Sequence, residues 1–287
     1  MTASAQEPMS TTTEVRSVTV GGQVLRVAIN PGPNGPGQPP RLPLLLINGI
    51  GASLEALEPF VAALDGAVEV IRFDPPGVGG SPLPPGPYRF TGLCRLIARM
   101  LTELGYDRAD VLGISWGGAV AQHFAAFQRA RCRRLVLVAT AAGAPMVLAR
   151  PAVLAHLMTP RRYLDRAYLQ RVAADLYGGS ARTDWAAAST ALHRDHQGGE
   201  RTGPSRGYYY QLGAVAGWTG VPFLPWLRQP ALILAGDDDP IIPLANARLM
   251  HRLIRDSRLH VYPGGHLGLL TEAAGLAPVV DGFLAGP

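Results

Sequence analysis

The 287-residue chain contains no lysine: all 26 of its basic side chains are arginine, so the formal charge of +5 reads as composition bias and not as evidence of a partner. Its two cysteines, Cys94 and Cys132, are too few for a disulfide framework and stand in no metal-spaced cluster with histidines, so both are expected to be buried structural thiols. No window approaches about eighteen uninterrupted apolar residues, and the opening MTASAQEPMSTTTEV has neither the basic start nor the apolar run of a secretory signal. A cytoplasmic protein that does not span a membrane is expected. Aromatic residues are missing from the densest basic run, Arg129 to Arg134 (RARCRR), which speaks against a single-strand nucleic-acid groove. That run reads as a solvated helix end, with phosphate or surface binding as the sharper alternative.

What is present is apolar: 47% of the residues are hydrophobic, enough to bury a large core. After a featureless leader, residues 1–13, EVRSVTV and QVLRVAI flank Gly21 and Gly22 in the alternating pattern of a β-hairpin. A Pro/Gly-rich loop, PGPNGPGQPPRLP, then delivers the chain into LLLIN, a continuous apolar run of the kind that forms a buried parallel strand. Helix-like and strand-like stretches alternate from there: LEALEPFVAAL, VEVIRFD, GLCRLIARMLTELG, ADVLGIS, GGAVAQHFAAFQ and RLVLVAT. The alternation stops between Ala141 and Gln229 and resumes with ALILAG, a helix near ANARLMHRLI, RLHVYPG and a terminal helix near TEAAGLAPVVDGFL. The pattern predicts one α/β domain, residues 14–140 and 230–287, with a mainly parallel sheet covered by helices on both faces and a helical cap inserted at 141–229.

The strongest local signal is Gly113-Ile114-Ser115-Trp116-Gly117-Gly118, between the strand ADVLGI and the helical AVAQHFAAF. This is G-x-S-x-G at a strand-to-helix turn, where the serine hydroxyl stands exposed at the sheet edge and the Trp116 N–H faces developing negative charge. A serine hydroxyl needs a base and an acid to orient that base. Of seven histidines, His123 and His251 fall in helices, His156, His193 and His196 in the inserted region, and His260 in a strand; His266 alone sits in a loop after the last strand, YPGGHLG. The acid should follow an intervening strand. ALILAG is followed by three carboxylates, Asp237, Asp238 and Asp239, and the spacing G-x-x-D-x-x-x-P from Gly236 selects Asp239. Three neighbours on one loop provide no converging oxygen shell, so no metal is expected. The loop after the first core strand, Asn48-Gly49-Ile50-Gly51, is expected to supply the second oxyanion donor, the Ile50 N–H; Asn48 either braces that loop or simply forms its turn.

Beyond these motifs the chain resembles the intracellular depolymerases of medium-chain-length poly(3-hydroxyalkanoate), members of the α/β-hydrolase superfamily. The stretches that carry the likeness include LLLINGIGASLE, EVIRFDPPGVGGSP, VLGISWGGAVAQHFA, PRRY, LYGG, GYYYQL and LILAGDDDPIIPLANARLM, within residues 42–284. The resemblance implies a cofactor-free ester hydrolase with Ser115, Asp239 and His266 as its triad, acting at the surface of storage-polyester granules. It leaves the oligomeric state open. The leader, the Pro/Gly loop and HRDHQGGERTGPSR look longer than the family pattern. A small-ester carboxylesterase or perhydrolase on the same triad, and an inactive granule-binding protein, are the alternatives. The inserted region contributes Leu154, Leu157, Met158, Tyr163, Tyr168, Leu169, Tyr208, Tyr209, Tyr210, Trp218, Phe223 and Trp226, which either line an acyl pocket, dock on an apolar surface, or form the cap's own core.

Overall fold

The structure, a computed structural model, describes residues 13–32, 41–184, 189 and 206–286. The leader before Thr13 and most of HRDHQGGERTGPSR, with His193 and His196, lie outside the described residues.

Eight strands form one sheet: β1 (Glu14–Val20), β2 (Gln23–Asn30), β3 (Leu44–Ile47), β4 (Val70–Phe73), β5 (Ala109–Ile114), β6 (Cys132–Val138), β7 (Ala231–Gly236) and β8 (Ser257–Tyr262). Their spatial order is β1-β2-β4-β3-β5-β6-β7-β8. The hairpin β1–β2 is antiparallel and joins β4 antiparallel, whereas every pair from β4 through β8 is parallel. Strands β3, β5 and β7 are buried along their whole length, as the continuous apolar runs require.

Side chains of a strand alternate between the two faces, so each strand feeds two cores. Leu45, Ile47, Val111, Leu135, Leu137 and Ile233 point to the face covered by α2 (Phe90–Glu103) and α3 (Trp116–Phe127). Leu44, Leu46, Leu112, Ile114, Val136 and Leu234 point to the other face, with α1 (Glu58–Ala63). Between β6 and β7 lie α4 (Pro151–Leu157), α5 (Arg161–Leu164), α6 (Arg166–Tyr177), α7 (Ser180–Thr183) and α8 (Arg206–Val215). After β7 come α9 (Leu244–Leu253), α10 (Gly268–Thr271) and α11 (Ala273–Ala285), the last of these packed on the face of α1. The inserted helices have a small core of their own, built on Val153, Leu169, Ala173 and Leu176, and it is closed from below by Ile241 and Leu267.

Two sequence readings change. The stretch LEALEPFVAAL begins as a 3-10 turn, Leu54–Leu57, before the α-helix takes over with Pro59 in its first turn. The basic run is a solvated helix end only at its start, where Arg129 is exposed in a 3-10 turn after α3; the arginines that follow are drawn inward. Arg133 forms a two-point ion pair with buried Asp110, Nε to Oδ1 at 2.9 Å and Nη2 to Oδ2 at 2.5 Å. Arg131 donates to the Ala98 and Tyr106 carbonyls, and Arg134 to that of Gly286. These guanidiniums tie β6 to neighbouring segments, a use that the bare run of charge does not reveal. Cys94 and Cys132 are buried and unpaired, and burial pushes both thiols up from their ordinary range. Among the described residues no helix is long and apolar enough to cross a membrane.

Candidate active site

Ser115 stands at the junction of β5 and α3 with φ 55° and ψ −119°, a conformation that costs a non-glycine residue on the order of 1–3 kcal/mol. The surroundings hold it there. The Ser115 N–H donates to the Val138 carbonyl at 2.9 Å, and the Ser115 carbonyl accepts from the Gly118 N–H at 2.9 Å and from Thr140 Oγ1 at 2.7 Å. The glycines of the motif are there for space: a Cβ on Gly113 would overlap the Gly117 carbonyl, and one on Gly117 would overlap the carbonyls of Ile47 and Asn48. Helix α3 therefore sits hard against β3 and β5, which leaves the serine half-buried at the carboxyl end of the sheet.

His266 follows β8, and its Nδ1 lies 2.8 Å from Asp239 Oδ2. Both residues are buried. Asp239 Oδ1 accepts from the Ile241 and Ile242 N–H groups, each at 2.9 Å, so the carboxylate is fixed at both oxygens. Its two neighbours are employed elsewhere. Asp237 Oδ1 accepts from the Gly264 N–H at 3.0 Å, while Asp238 Oδ2 takes the Gly179 N–H at 2.7 Å and Arg182 Nε at 2.9 Å. Three adjacent carboxylates thus diverge to three separate tasks. Among the described residues no cluster of three or more metal-type ligands forms. Ser115 and His266 line the same cavity, although no hydrogen bond joins their side chains; in a site without substrate such contacts are commonly long.

The loop after β3, residues 48–51, is held more firmly than its sequence indicates. Asn48 is a brace: Nδ2 donates to the Ser53 carbonyl at 2.5 Å and Oδ1 accepts from the Gly49 N–H at 3.3 Å. The peptide linking Ile50 to Gly51 is gripped at both ends by the inserted helices. Tyr163 Oη donates to the Ile50 carbonyl at 2.7 Å, and Gln211 Oε1 accepts from the Gly51 N–H at 2.7 Å. The indole Nε1 of Trp116 donates to the Gln211 carbonyl at 2.9 Å, which locks the start of α3 to α8. Behind the loop, buried Asp74 accepts from the Leu54 and Gly80 N–H groups and pairs with Arg26; burial outweighs these bonds and pushes its carboxyl up to about 6.

A second support was not singled out from sequence. The Tyr177 carbonyl accepts the His266 N–H at 2.8 Å. Gly178 and Gly179 press so closely on the loops after β7 and β8 that a Cβ on either would overlap the Asp238 carbonyl or the Gly265 nitrogen. The only sequence signal was LYGG, which carries no chemistry of its own; its role is to let backbone meet backbone beside His266.

The cavity has a volume of about 260 Å³ and its wall is almost wholly apolar. Ile50, Trp116, Met146, Leu212, Val215 and Ile242 contribute to it. The residues expected of the inserted region divide three ways. Leu157, Tyr163 and Trp218 line the cavity; Leu169 and Tyr208 are buried in packing; Met158, Tyr209 and Trp226 are exposed. One charged side chain, Arg162, also lines the cavity.

A parallel sheet with a serine at its strand-to-helix turn, and a buried Asp–His pair carried on later loops, defines an α/β-hydrolase architecture. Residues 43–273 match the α/β hydrolase fold family, and the chain belongs to it. Within that family it is 48% identical over 269 residues to the poly(3-hydroxyalkanoate) depolymerase of Ectopseudomonas oleovorans, a match covering 94% of this chain and 92% of that relative. It is 27% identical over 248 residues to 3-oxoadipate enol-lactonase 2 of Acinetobacter baylyi, covering 86% and 90% of the two chains. The solved enol-lactonase of Burkholderia xenovorans LB400 superposes with a TM-score of 0.77 at 23% identity, over 94% of this chain and 100% of that one, a likeness of fold.

Proposed function

We propose that this chain is a serine ester hydrolase that degrades medium-chain-length poly(3-hydroxyalkanoate) at the surface of cytoplasmic granules, needing no cofactor. The observation that carries the chemistry is the Asp239–His266 hydrogen bond opening onto the cavity that Ser115 also lines. In this reading Ser115 Oγ attacks the ester carbonyl while His266 takes its proton. The oxyanion is met by the N–H groups of Ile50 and Trp116, the latter in the first turn of α3, where backbone N–H groups have no intrahelical acceptor. His266 then protonates the leaving alcohol and activates the water that releases the acid, while Asp239 holds the imidazole tautomer and stabilises its cation.

The 48% identity to a poly(3-hydroxyalkanoate) depolymerase supports the substrate class, and the apolar cavity suits the alkyl side chains of such a polymer. Val147, Leu148, Met158, Leu164 and Tyr209 are all exposed on the inserted segment, which suits contact with an apolar granule. Residues 141–229, read as a cap, carry that surface. Incubation with amorphous medium-chain granules should release 3-hydroxy acids or oligomers, with Ser115→Ala as the blank. Unchanged granule turbidity with a protein that still hydrolyses soluble esters would favour the second reading, a small-ester hydrolase, which the enclosed part of the cavity and the enol-lactonase likeness also suit.

A further inference from the structure

Arg162, on α5, is only 2% exposed, yet among the described residues no carboxylate pairs with it. That sets it apart from buried Arg72, which has Glu58 at 2.8 Å, and from half-buried Arg133, which has Asp110 at 2.5 Å. A buried charge is costly unless a counter-charge or a full set of hydrogen bonds compensates it. The bonds of Arg162 are neutral and unevenly shared. Nη1 is saturated by Tyr208 Oη at 2.9 Å and by the carbonyls of Thr159 and His156 at 3.4 and 3.5 Å. On the opposite edge Nη2 has Tyr163 Oη at 3.5 Å, the buried Tyr177 hydroxyl also hydrogen-bonds the guanidinium, and Nε, itself buried, has no partner. The guanidinium lies 4.5 Å from the Tyr163 ring centre and 5.4 Å from that of Tyr208, which fixes its plane. The residue lines the same cavity as Ser115 and His266. This edge, Nε–H beside Nη2–H, holds no charged partner and one unpartnered donor, and it is one of the two faces with which an arginine binds a carboxylate at two points.

We propose that this edge of Arg162 receives the free carboxylate of the substrate's chain end, so that the enzyme removes 3-hydroxy acid units one at a time from the carboxyl terminus. The inference rests on the polyester reading for its substrate: in a polymer of neutral ester repeats, the carboxyl end is the one ionised group. The terminal unit is the leaving group. Ser115 Oγ bonds to the penultimate acyl carbon, the ester C–O bond breaks, and the proton taken up by His266 passes to the departing C3 oxygen. The freed 3-hydroxyalkanoate keeps its carboxylate on Arg162, and water then releases the shortened chain from Ser115.

The test uses a 3-hydroxydecanoate dimer with a free carboxyl and its methyl ester, and, as a reading of binding alone, inhibition of p-nitrophenyl butyrate hydrolysis by 3-hydroxydecanoate and by its methyl ester. In the native protein the acid forms should be favoured about ten- to a hundredfold in kcat/KM and in inhibition constant, the range of a charge-assisted two-point contact. Arg162→Lys keeps a charge but loses the planar edge, and should erase that preference, read as the acid-to-ester ratio of kcat/KM and of inhibition constants, so that any general loss of p-nitrophenyl ester turnover through Tyr163 cancels. Equal treatment of acid and ester by the native protein would overturn the proposal without any variant being needed. So would a variant that loses both substrates in proportion. If acid-selective inhibition is present but neither granules nor dimers are hydrolysed, the carboxylate subsite stands and the polyester reading is what fails.

Discussion

The Ile50–Gly51 peptide offers the most direct way to separate positioning from packing. Gln211 is fully buried, and its Oε1 is the acceptor for a buried Gly51 N–H. Gln211→Leu keeps nearly the same volume but takes this acceptor from the Gly51 N–H, a loss of up to about 1–3 kcal/mol for a buried backbone donor. Gly51 cannot relax inward, because the rings of Tyr163 and Tyr208 already lie 2.9 and 2.8 Å from where its Cβ would be. The strained peptide is therefore expected to rotate toward the cavity and carry the Ile50 N–H off its aim. If the lost bond is all that favours the aligned loop, the aligned fraction falls about 5- to 150-fold, and kcat should fall with it. The ceiling is the 10²- to 10³-fold cost of losing an oxyanion donor outright. KM should hardly move, because this interaction strengthens only as the oxyanion forms. Tyr163→Phe releases the other end of the same peptide and should cost about 2- to 12-fold, the value of one neutral hydrogen bond. The two effects should not add, since either variant frees the same peptide. The assay is steady-state hydrolysis of a soluble ester with thermal unfolding measured alongside. A Gln211→Leu protein with lowered Tm and unaltered kcat would refute the reasoning, since the tether would then be packing alone.

Three further outcomes follow from the same geometry. Asp239→Asn should reduce kcat by about 10⁴-fold through loss of the correct imidazole tautomer, whereas Asp238→Asn, whose partners are Gly179 and Arg182, should cost less than tenfold; comparable losses would undo the assignment of the acid among the three carboxylates. Gly179→Ala should lower Tm and kcat together, because an added methyl must push the Gly265 backbone and with it His266; a variant with native turnover would show that the close approach is incidental. Burial among aromatic rings lowers the pKa of His123 below its ordinary 6.5, so the unfolded chain binds the proton more readily. Its contribution to stability is therefore complete above about pH 6.5 and is lost as pH falls toward the folded value. Denaturant unfolding between pH 7.5 and 5.5 should show that loss in the native protein and less of it in His123→Phe.

How much of this was readable in advance depends on whether the signal is local. Strands β3 to β8 were legible because each is a short apolar run bounded by turn residues, and their alternation with helices dictated a parallel sheet. The placement of Ser115 at a strand-to-helix turn was legible because that turn demands small neighbours at fixed spacing, and the placement of Asp239 and His266 on loops after β7 and β8 because they follow apolar runs. The basic run misled because ion pairing is a property of position: nothing local to RARCRR records that Asp110 lies beside it on β5. The insertion was opaque for the same reason. A tyrosine, a glutamine and two glycines from separate segments meet loops sixty or more residues away in sequence, in two cases more than a hundred, and no periodicity marks such meetings.

The inserted helices are consequently more than a cover. They hold the loop after β3 through Tyr163 and Gln211 and the loop after β8 through the Tyr177 carbonyl, while their own Arg162 reaches the cavity wall. The backbone of Ser115, by contrast, is bonded to the core, through Val138, Thr140 and Gly118, and reaches the insertion only at one remove, where its neighbour Trp116 donates to Gln211. On the proposed mechanism the nucleophile is thus held mainly by the core, whereas the groups that would recognise and stabilise are set by the insertion. Changes in the insertion should therefore alter both which ester is accepted and how fast it is cleaved, while leaving Ser115 in place and open to modification by a serine-directed phosphonate. An insertion variant that hydrolyses ester poorly yet is labelled as fast as the native protein would be the signature of that division of labour; one in which labelling falls as steeply as turnover would show that the nucleophile, too, depends on the insertion.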